Sequence, residues 1–268
     1  MKKIIAIINV LILILMSFAN IAFTVNEPTI YSEGAVLIEA SSGTVLYEKN
    51  SKQVLYPAST TKILTAIIAI EKCDLNETAI ASKNAINTIP SNYAIADIQV
   101  GEEFTIEQLL NVMLVHSANE AANVIAEHVS GSIEEFAKLM NDKAKEIGCT
   151  RSNFVNANGI QNENHYSTAY DMALIAKYCM KNDKFREIVG TQECKLPATN
   201  IYPNVRTFKN NNNLIDKNDK YYYEYCIGGK TGYTKEAKNC LVAMSKKDNM
   251  ELISVVLKGE TTETRRKC

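Results

Sequence analysis

The chain has 268 residues, 46% of them hydrophobic and 22% charged, which is enough apolar content for one sizeable core. A formal net charge of −1, with no block of like charge, gives no basis for a nucleic-acid partner or a charged tail. Seven cysteines, at 73, 149, 179, 194, 226, 240 and 268, show no C-x-x-C spacing. That argues against a zinc site and against a disulfide-stapled scaffold, and leaves most of them as small core hydrophobes. Histidines 116, 128 and 165 are too dispersed along the chain to suggest ligands.

In chain order, Met1-Lys2-Lys3 is a short basic start to an apolar run from Ile4 to Phe18. With small residues at Ser17, Ala19 and Ala22, residues 1–22 read as a secretory leader, cleaved after Ala19 or Ala22. Retained as an anchor, the run is near the lower limit for spanning. Either way the remainder, 28–268, is expected outside the cytoplasm as one domain with two lobes.

Gly34 to Ala40 and Thr44 to Lys49 flank Ser41-Ser42-Gly43 and predict a β-hairpin. A helix from Ser59 to Cys73 follows, uncharged from Ile63 to Ile70 and so apolar nearly all round, which places it in a core. To about Asp183 the pattern is mainly helical. Thr105-Ile106-Glu107 opens one helix, Asn119 to Val129 and Ile133 to Ile147 make two more, the latter stopped by Gly148, and Thr168 to Lys181 makes another. Strand signals return at Glu193–Leu196, Tyr222–Lys230, Asn239–Ser245 and Glu251–Leu257. Only Lys209 to Lys220, with Asn210 to Asn213 in a row, reads as a linker. Strands at both ends with helices between predict an α+β fold: an antiparallel sheet built from both chain ends, flanking helices and a mainly helical lobe.

Ser59, just after Tyr56-Pro57-Ala58, sits where an N-cap or first-turn residue belongs, and Lys62 lies one turn on along the same face. A hydroxyl and an amine thus meet at the start of a buried helix. A serine nucleophile needs such a base, in surroundings that disfavour the charged ammonium. Ser117-Ala118-Asn119 follows an apolar helical segment, and Lys230-Thr231-Gly232 lies in a strand-like stretch before a polar turn.

S-x-x-K, S-x-N and K-T-G, in that order, resemble the penicillin-recognising serine enzymes. The segments Tyr56 to Lys62, His116 to Ala122, Phe154 to Gly159, His165 to Ala173 and Ile227 to Thr234 are similar to the low-molecular-weight penicillin-binding proteins, the serine-type D-alanyl-D-alanine carboxypeptidases. The similarity covers roughly residues 30 to 260. It implies a β-lactamase/DD-peptidase-like fold that removes the terminal D-alanine from peptidoglycan stem peptides ending in D-Ala-D-Ala, with β-lactams as covalent inhibitors and no metal or cofactor. By the same resemblance Ser59 is the nucleophile and Lys62 its base, Ser117 relays a proton to the departing amine, and Asn119 holds Lys62 and a substrate amide. Lys230 supplies positive potential, Thr231 binds the free carboxylate, Gly232 allows close approach of the peptide, and the N–H groups of Ser59 and Tyr233 form the oxyanion hole. His116 has a positional role.

Two rival readings have their own signatures. A class A-like β-lactamase carries E-x-x-L-N after its second motif; Glu107-Gln108-Leu109-Leu110-Asn111 matches the pattern but precedes Ser117, and the middle of the second motif is Ala118 rather than aspartate. A catalytically weak, wall-associated structural homologue would keep the fold without intact motifs. Relatives usually continue past the strand at Val255-Val256-Leu257 with a helix and strand, and many add a β-rich domain and a membrane-binding helix. The stop at Cys268 therefore predicts a C-terminally truncated domain with no C-terminal membrane anchor.

Overall fold

The computed structural model describes residues 28–263; the predicted leader and Cys268 lie outside them. Five strands form one antiparallel sheet: β1 (Gly34–Glu39), β2 (Val45–Lys49), β7 (Cys226–Thr234), β8 (Lys238–Lys247) and β9 (Met250–Gly259), in the order β2-β1-β9-β8-β7. The two ends of the chain meet where β9 pairs with β1, Ala35 opposite Val256. Two short ladders stand apart, β3 (Thr78–Ile80) with β4 (Glu103–Thr105), and β5 (Glu193–Leu196) with β6 (Arg206–Lys209).

Alternation along the strands sends Val36, Ile38, Val242, Met244, Ile253 and Val255 into the main core. Ala35, Leu241 and Val256 face the other way and form a small second cluster with Leu214. Among the described residues seven α-helices complete the fold: α1 (Lys62–Lys72), α2 (Lys83–Asn87), α3 (Ile106–Val115), α4 (Asn119–Ser130), α5 (Ile133–Ile147), α6 (Ala169–Cys179) and α7 (Asp183–Val189). α6 lies across β1 and β9, while α1 is the hub of the helical lobe, touching α3, α4, α5, α6 and α7. That position explains why Ile63 to Ala69 are all buried and why the sequence offers no polar face there. Among the described residues no helix is long and apolar enough to cross a membrane.

Local chemistry sets the helix ends. Thr105 and Gln108 close a reciprocal capping box at α3, Ser132 and Thr168 cap α5 and α6, and Gly148 ends α5 at φ +101°. Three expectations are corrected. The helix expected from Ser59 becomes α-helical only at Lys62; Ser59, expected as a cap or first-turn residue, takes the second place, in a 3₁₀ turn, Ala58–Thr61, that leads into α1. The predicted strand Tyr222–Lys230 starts four residues later and runs through Thr234, because Tyr223 N–H and Cys226 N–H are taken up in turns to Leu214 and Tyr223. The stretch from Lys209 to Lys220 is no linker. Asn211 donates from its backbone to Val115 O and from Nδ2 to His116 O, and Asn213–Ile215 forms a 3₁₀ turn.

Candidate active site

Ser59, Ser117, Asn119, Thr231, Gly232 and Tyr233 line one cleft of about 1050 Å³ between the sheet edge and the helical lobe. Lys62 and Lys230 lie buried beneath it. The structure thus brings all eight predicted residues to one place, from three separate elements. The 3₁₀ turn and the start of α1 that continues it carry Ser59 and Lys62 against β7, the α3–α4 junction carries Ser117 and Asn119, and β7 carries residues 230 to 233.

Lys62 Nζ is 3.0 Å from Ser59 Oγ, 2.8 Å from Asn119 Oδ1 and 2.6 Å from Asn158 O. Two of these partners can only accept. A neutral amine has two hydrogens and one lone pair, so Asn119 and Asn158 take the hydrogens and the lone pair is left facing the Ser59 hydroxyl. Burial holds the Lys62 pKa well below the usual lysine range, and the nearby charge of Lys230 lowers it further; Glu120 opposes this. An ammonium would donate to all three oxygens, so it is burial and the charge of Lys230, not the contact geometry, that favour the neutral amine.

Asn158 was not singled out from sequence, although it lies in the Phe154–Gly159 segment. Its carbonyl is aimed by its side chain, which donates to Asn123 Oδ1 and accepts from Ile160 N–H. Asn119 is equally fixed, since Nδ2 and the backbone N–H both donate to Ala94 O. One of the two amide hydrogens expected for substrate is therefore committed to the 92–98 loop. Glu120 is buried, and its Oε1 accepts from Ala96 N–H at 2.5 Å, which pins the same loop from below. Burial raises the Glu120 carboxyl.

Two of the left-handed backbone positions fall at the candidate reacting groups. Ala58 and Ser117 sit at φ +49° and +71°, left-handed conformations that cost on the order of 1 kcal/mol each for a residue with a Cβ. Both flank or carry a candidate reacting group, where such strain is characteristically held by its surroundings. Gly232 has a steric reason of its own: a Cβ there would lie 3.0 Å from Pro57 O and Ser59 N. Only a bare backbone lets β7 run this close to the Ser59 turn.

The neighbouring histidines are structural in their contacts. His165 is buried, with Nε2 2.8 Å from Thr61 Oγ1 and Nδ1 accepting from Val155 N–H. Burial pushes its pKa down to about 3, so it stays neutral. His116 packs its ring 4.7 Å from that of Phe208, and burial lowers its pKa too. Glu107, the residue matching the β-lactamase pattern, is paired with Lys184 at 3.0 Å.

The profile of the Peptidase_S11 family, described as D-alanyl-D-alanine carboxypeptidase, matches residues 21–261. D-alanyl-D-alanine carboxypeptidase DacF of Bacillus subtilis is 37% identical over 261 residues, covering 94% of this chain and 65% of that protein. The chain thus spans just under two thirds of that relative's length. The D-alanyl-D-alanine carboxypeptidase of Streptomyces sp. K15 is 31% identical over 92% of this chain and 87% of its own. Among solved structures, the Streptomyces K15 DD-transpeptidase superposes with a TM-score of 0.84 at 30% identity, over 90% of this chain and 95% of that one. A D-alanyl-D-alanine carboxypeptidase from Mycobacterium tuberculosis gives 0.81 at 27% identity, over 90% and 88%.

Proposed function

The chain belongs to the D-alanyl-D-alanine carboxypeptidase family, and we propose that it is a serine-type carboxypeptidase acting on peptidoglycan stem peptides that end in D-Ala-D-Ala. The observation that carries this reading is the three-way setting of Lys62 Nζ, which holds the amine 3.0 Å from Ser59 Oγ between Asn119 Oδ1 and Asn158 O. Ser59 Oγ attacks the carbonyl of the penultimate D-alanine while Lys62 accepts the hydroxyl proton. The N–H groups of Ser59 and Tyr233 receive the developing oxyanion. Ser117 passes a proton to the departing amine nitrogen, which leaves as D-alanine. Water then cleaves the ester on Ser59 and restores the hydroxyl.

Thr231 borders the cleft with Lys230 directly below it, a setting that suits the substrate's terminal carboxylate. Asn119 keeps Lys62 in place and has one amide hydrogen left for a substrate carbonyl. Residues 1–22 act as a leader in this reading, and the domain works outside the cytoplasm, where its substrate lies. β-Lactams, which present a similar acyl group, are expected to be trapped on Ser59. Against a β-lactamase, the carboxylate of Glu107 is engaged with Lys184 on the helical lobe.

Mass spectrometry and a peptide assay test this together. A fluorescent penicillin should label wild-type protein on Ser59 and leave Ser59→Ala unlabelled. Diacetyl-Lys-D-Ala-D-Ala should release D-alanine, and its C-terminal amide should not. Labelling of Ser59→Ala, equal cleavage of the amide, or steady turnover of a chromogenic cephalosporin would overturn the assignment.

A further inference from the structure

Away from the cleft, Cys73, Glu77 and His128 bring a thiol, a carboxylate and an imidazole within 4.8 Å of one another. We propose that they form a binding site for a divalent transition-metal ion of the zinc type, which ties together the far ends of the two helices that carry Lys62 and Asn119. The sulfur–nitrogen–oxygen donor set suits Zn²⁺ and its neighbours in the first transition row, and is wrong for Ca²⁺ or Mg²⁺, which take oxygen ligands. Three protein donors leave a fourth, tetrahedral position for water.

Four features support a built site. Cys73 is the C-cap of α1 and packs against the main core, so its position is fixed. Glu77 is oriented for binding: Oε1 accepts from Asp74 N–H at 2.9 Å, which turns Oε2 toward His128 Nε2, also at 2.9 Å. This is the arrangement by which outer hydrogen bonds aim a ligating carboxylate. The backbone between the donors is closed by Glu77 N–H to Asp74 O and by Ile106 N–H to Glu77 O. Finally, the C-terminal ends of α1 and α4 converge here, with His128 in the last turn of α4. Two helix C-termini place partial negative charge around the cluster, which favours a cation. Without an ion the same groups amount to a partly exposed ion pair beside a small apolar side chain, an interaction worth little.

Cysteine spacing could not reveal this site, because a single cysteine takes part and the histidine comes from a distant helix. α1 is 11 residues long, so the cluster lies about 16 Å along it from Lys62. The ion is therefore remote from the reaction and braces the frame that holds Lys62 and Asn119. Binding replaces the Cys73 thiol proton with a sulfur–metal bond and releases that proton to solvent.

The test is a titration of untagged, chelator-treated protein with Co²⁺ and then Zn²⁺. One equivalent of Co²⁺ should produce a thiolate-to-cobalt charge-transfer band and the visible bands of tetrahedral cobalt, which Zn²⁺ then displaces. One equivalent of Zn²⁺ should raise Tm, by an amount set by its excess over Kd. Cys73→Ser should lose the band, and His128→Gln and Glu77→Gln should each weaken binding by at least the roughly tenfold that loss of an outer partner costs. All three variants should still be labelled by penicillin, since none of these residues lines the cleft. A wild-type protein with no cobalt band, or a band undiminished in Cys73→Ser, would refute the site.

Discussion

Gly159 lies against the carbonyl of Ala58 so closely that a Cβ on the glycine would come within 1.9 Å of that oxygen. Gly159 is also at φ +81°, a conformation that disfavours any side chain. This contact sets the loop that presents Asn158 O to Lys62 directly beneath the Ser59 turn. Gly159→Ala must therefore move one backbone segment or the other. The expected loss is about 3 kcal/mol or more of stability, together with much slower penicillin labelling. Thermal melts and labelling rates compared with wild type measure both, and an unchanged variant would mean that the two segments are not held in register.

The Lys62 amine predicts a pH profile. Its pKa in the folded protein is depressed, so the neutral base appears at lower pH than for an ordinary lysine, and the acylation rate should rise with pH and level off well below the usual lysine range. Lys62→Arg keeps a permanent charge in the same place and should lower acylation by about 10²- to 10⁴-fold. Second-order labelling rates across pH give the answer. A rate that keeps climbing into the ordinary lysine range would rule out Lys62 as the base.

His165 should govern acid stability. Its folded pKa of about 3 lies below the ordinary 6.5, so as pH falls through that window the unfolded chain binds a proton that the folded protein refuses. Stability from this residue is complete above pH 6.5 and is lost progressively toward pH 3. Between pH 7 and pH 5 the loss is about 2 kcal/mol. Urea unfolding at the two pH values should show that difference in wild type and a smaller one in His165→Gln. Equal slopes would place the acid sensitivity elsewhere.

The 92–98 loop, which holds Asn119 through Ala94 O, is clamped on its outer side by Arg206. This guanidinium is buried, pairs with the fully buried Glu102, and donates to Ala96 O and Asp97 O. It stacks on Tyr202, with the charge centre 4.6 Å from the ring. Glu102→Ala leaves that charge buried without its partner and should cost about 3–5 kcal/mol, whereas Glu102→Leu with Arg206→Met should cost much less. Denaturant midpoints of the single and double variants decide it; a double variant as unstable as the single would show that packing dominates over the uncompensated charge.

Local signals in the sequence were the readable ones. The bounds of α5 follow from an amphipathic repeat closed by Gly148, and the depth of α1 follows from its uninterrupted apolar run. The three motifs pointed to one cleft because each marks a residue whose chemistry is rare at that spot: Ser59 and Lys62 one turn apart, Asn119 after an apolar helix, and Lys230 in a strand. Asn158 escaped notice because it acts through a main-chain carbonyl, a group every residue possesses. The run of asparagines from 210 to 213 has the composition of a linker, but its order comes from long-range bonds to Val115 and His116, which composition does not encode. The 3₁₀ start of α1 was hidden for a related reason: Ala58 takes a left-handed conformation that no propensity favours for alanine, and the packing of Gly159 and Gly232 imposes it.

The placement of β9 between β1 and β8 governs how the chain can assemble. Among the described residues the β1–β2 hairpin is the first element made, yet its other neighbour in the sheet is the strand Met250–Gly259, made after the whole helical lobe. A two-stranded hairpin is at best marginally stable alone, so the sheet cannot close until that late segment arrives. Contacts of such long sequence separation make folding slow. The reactive surface needs β7 held in place by β8 and β9, so it cannot be complete until the segment that closes the sheet is in place.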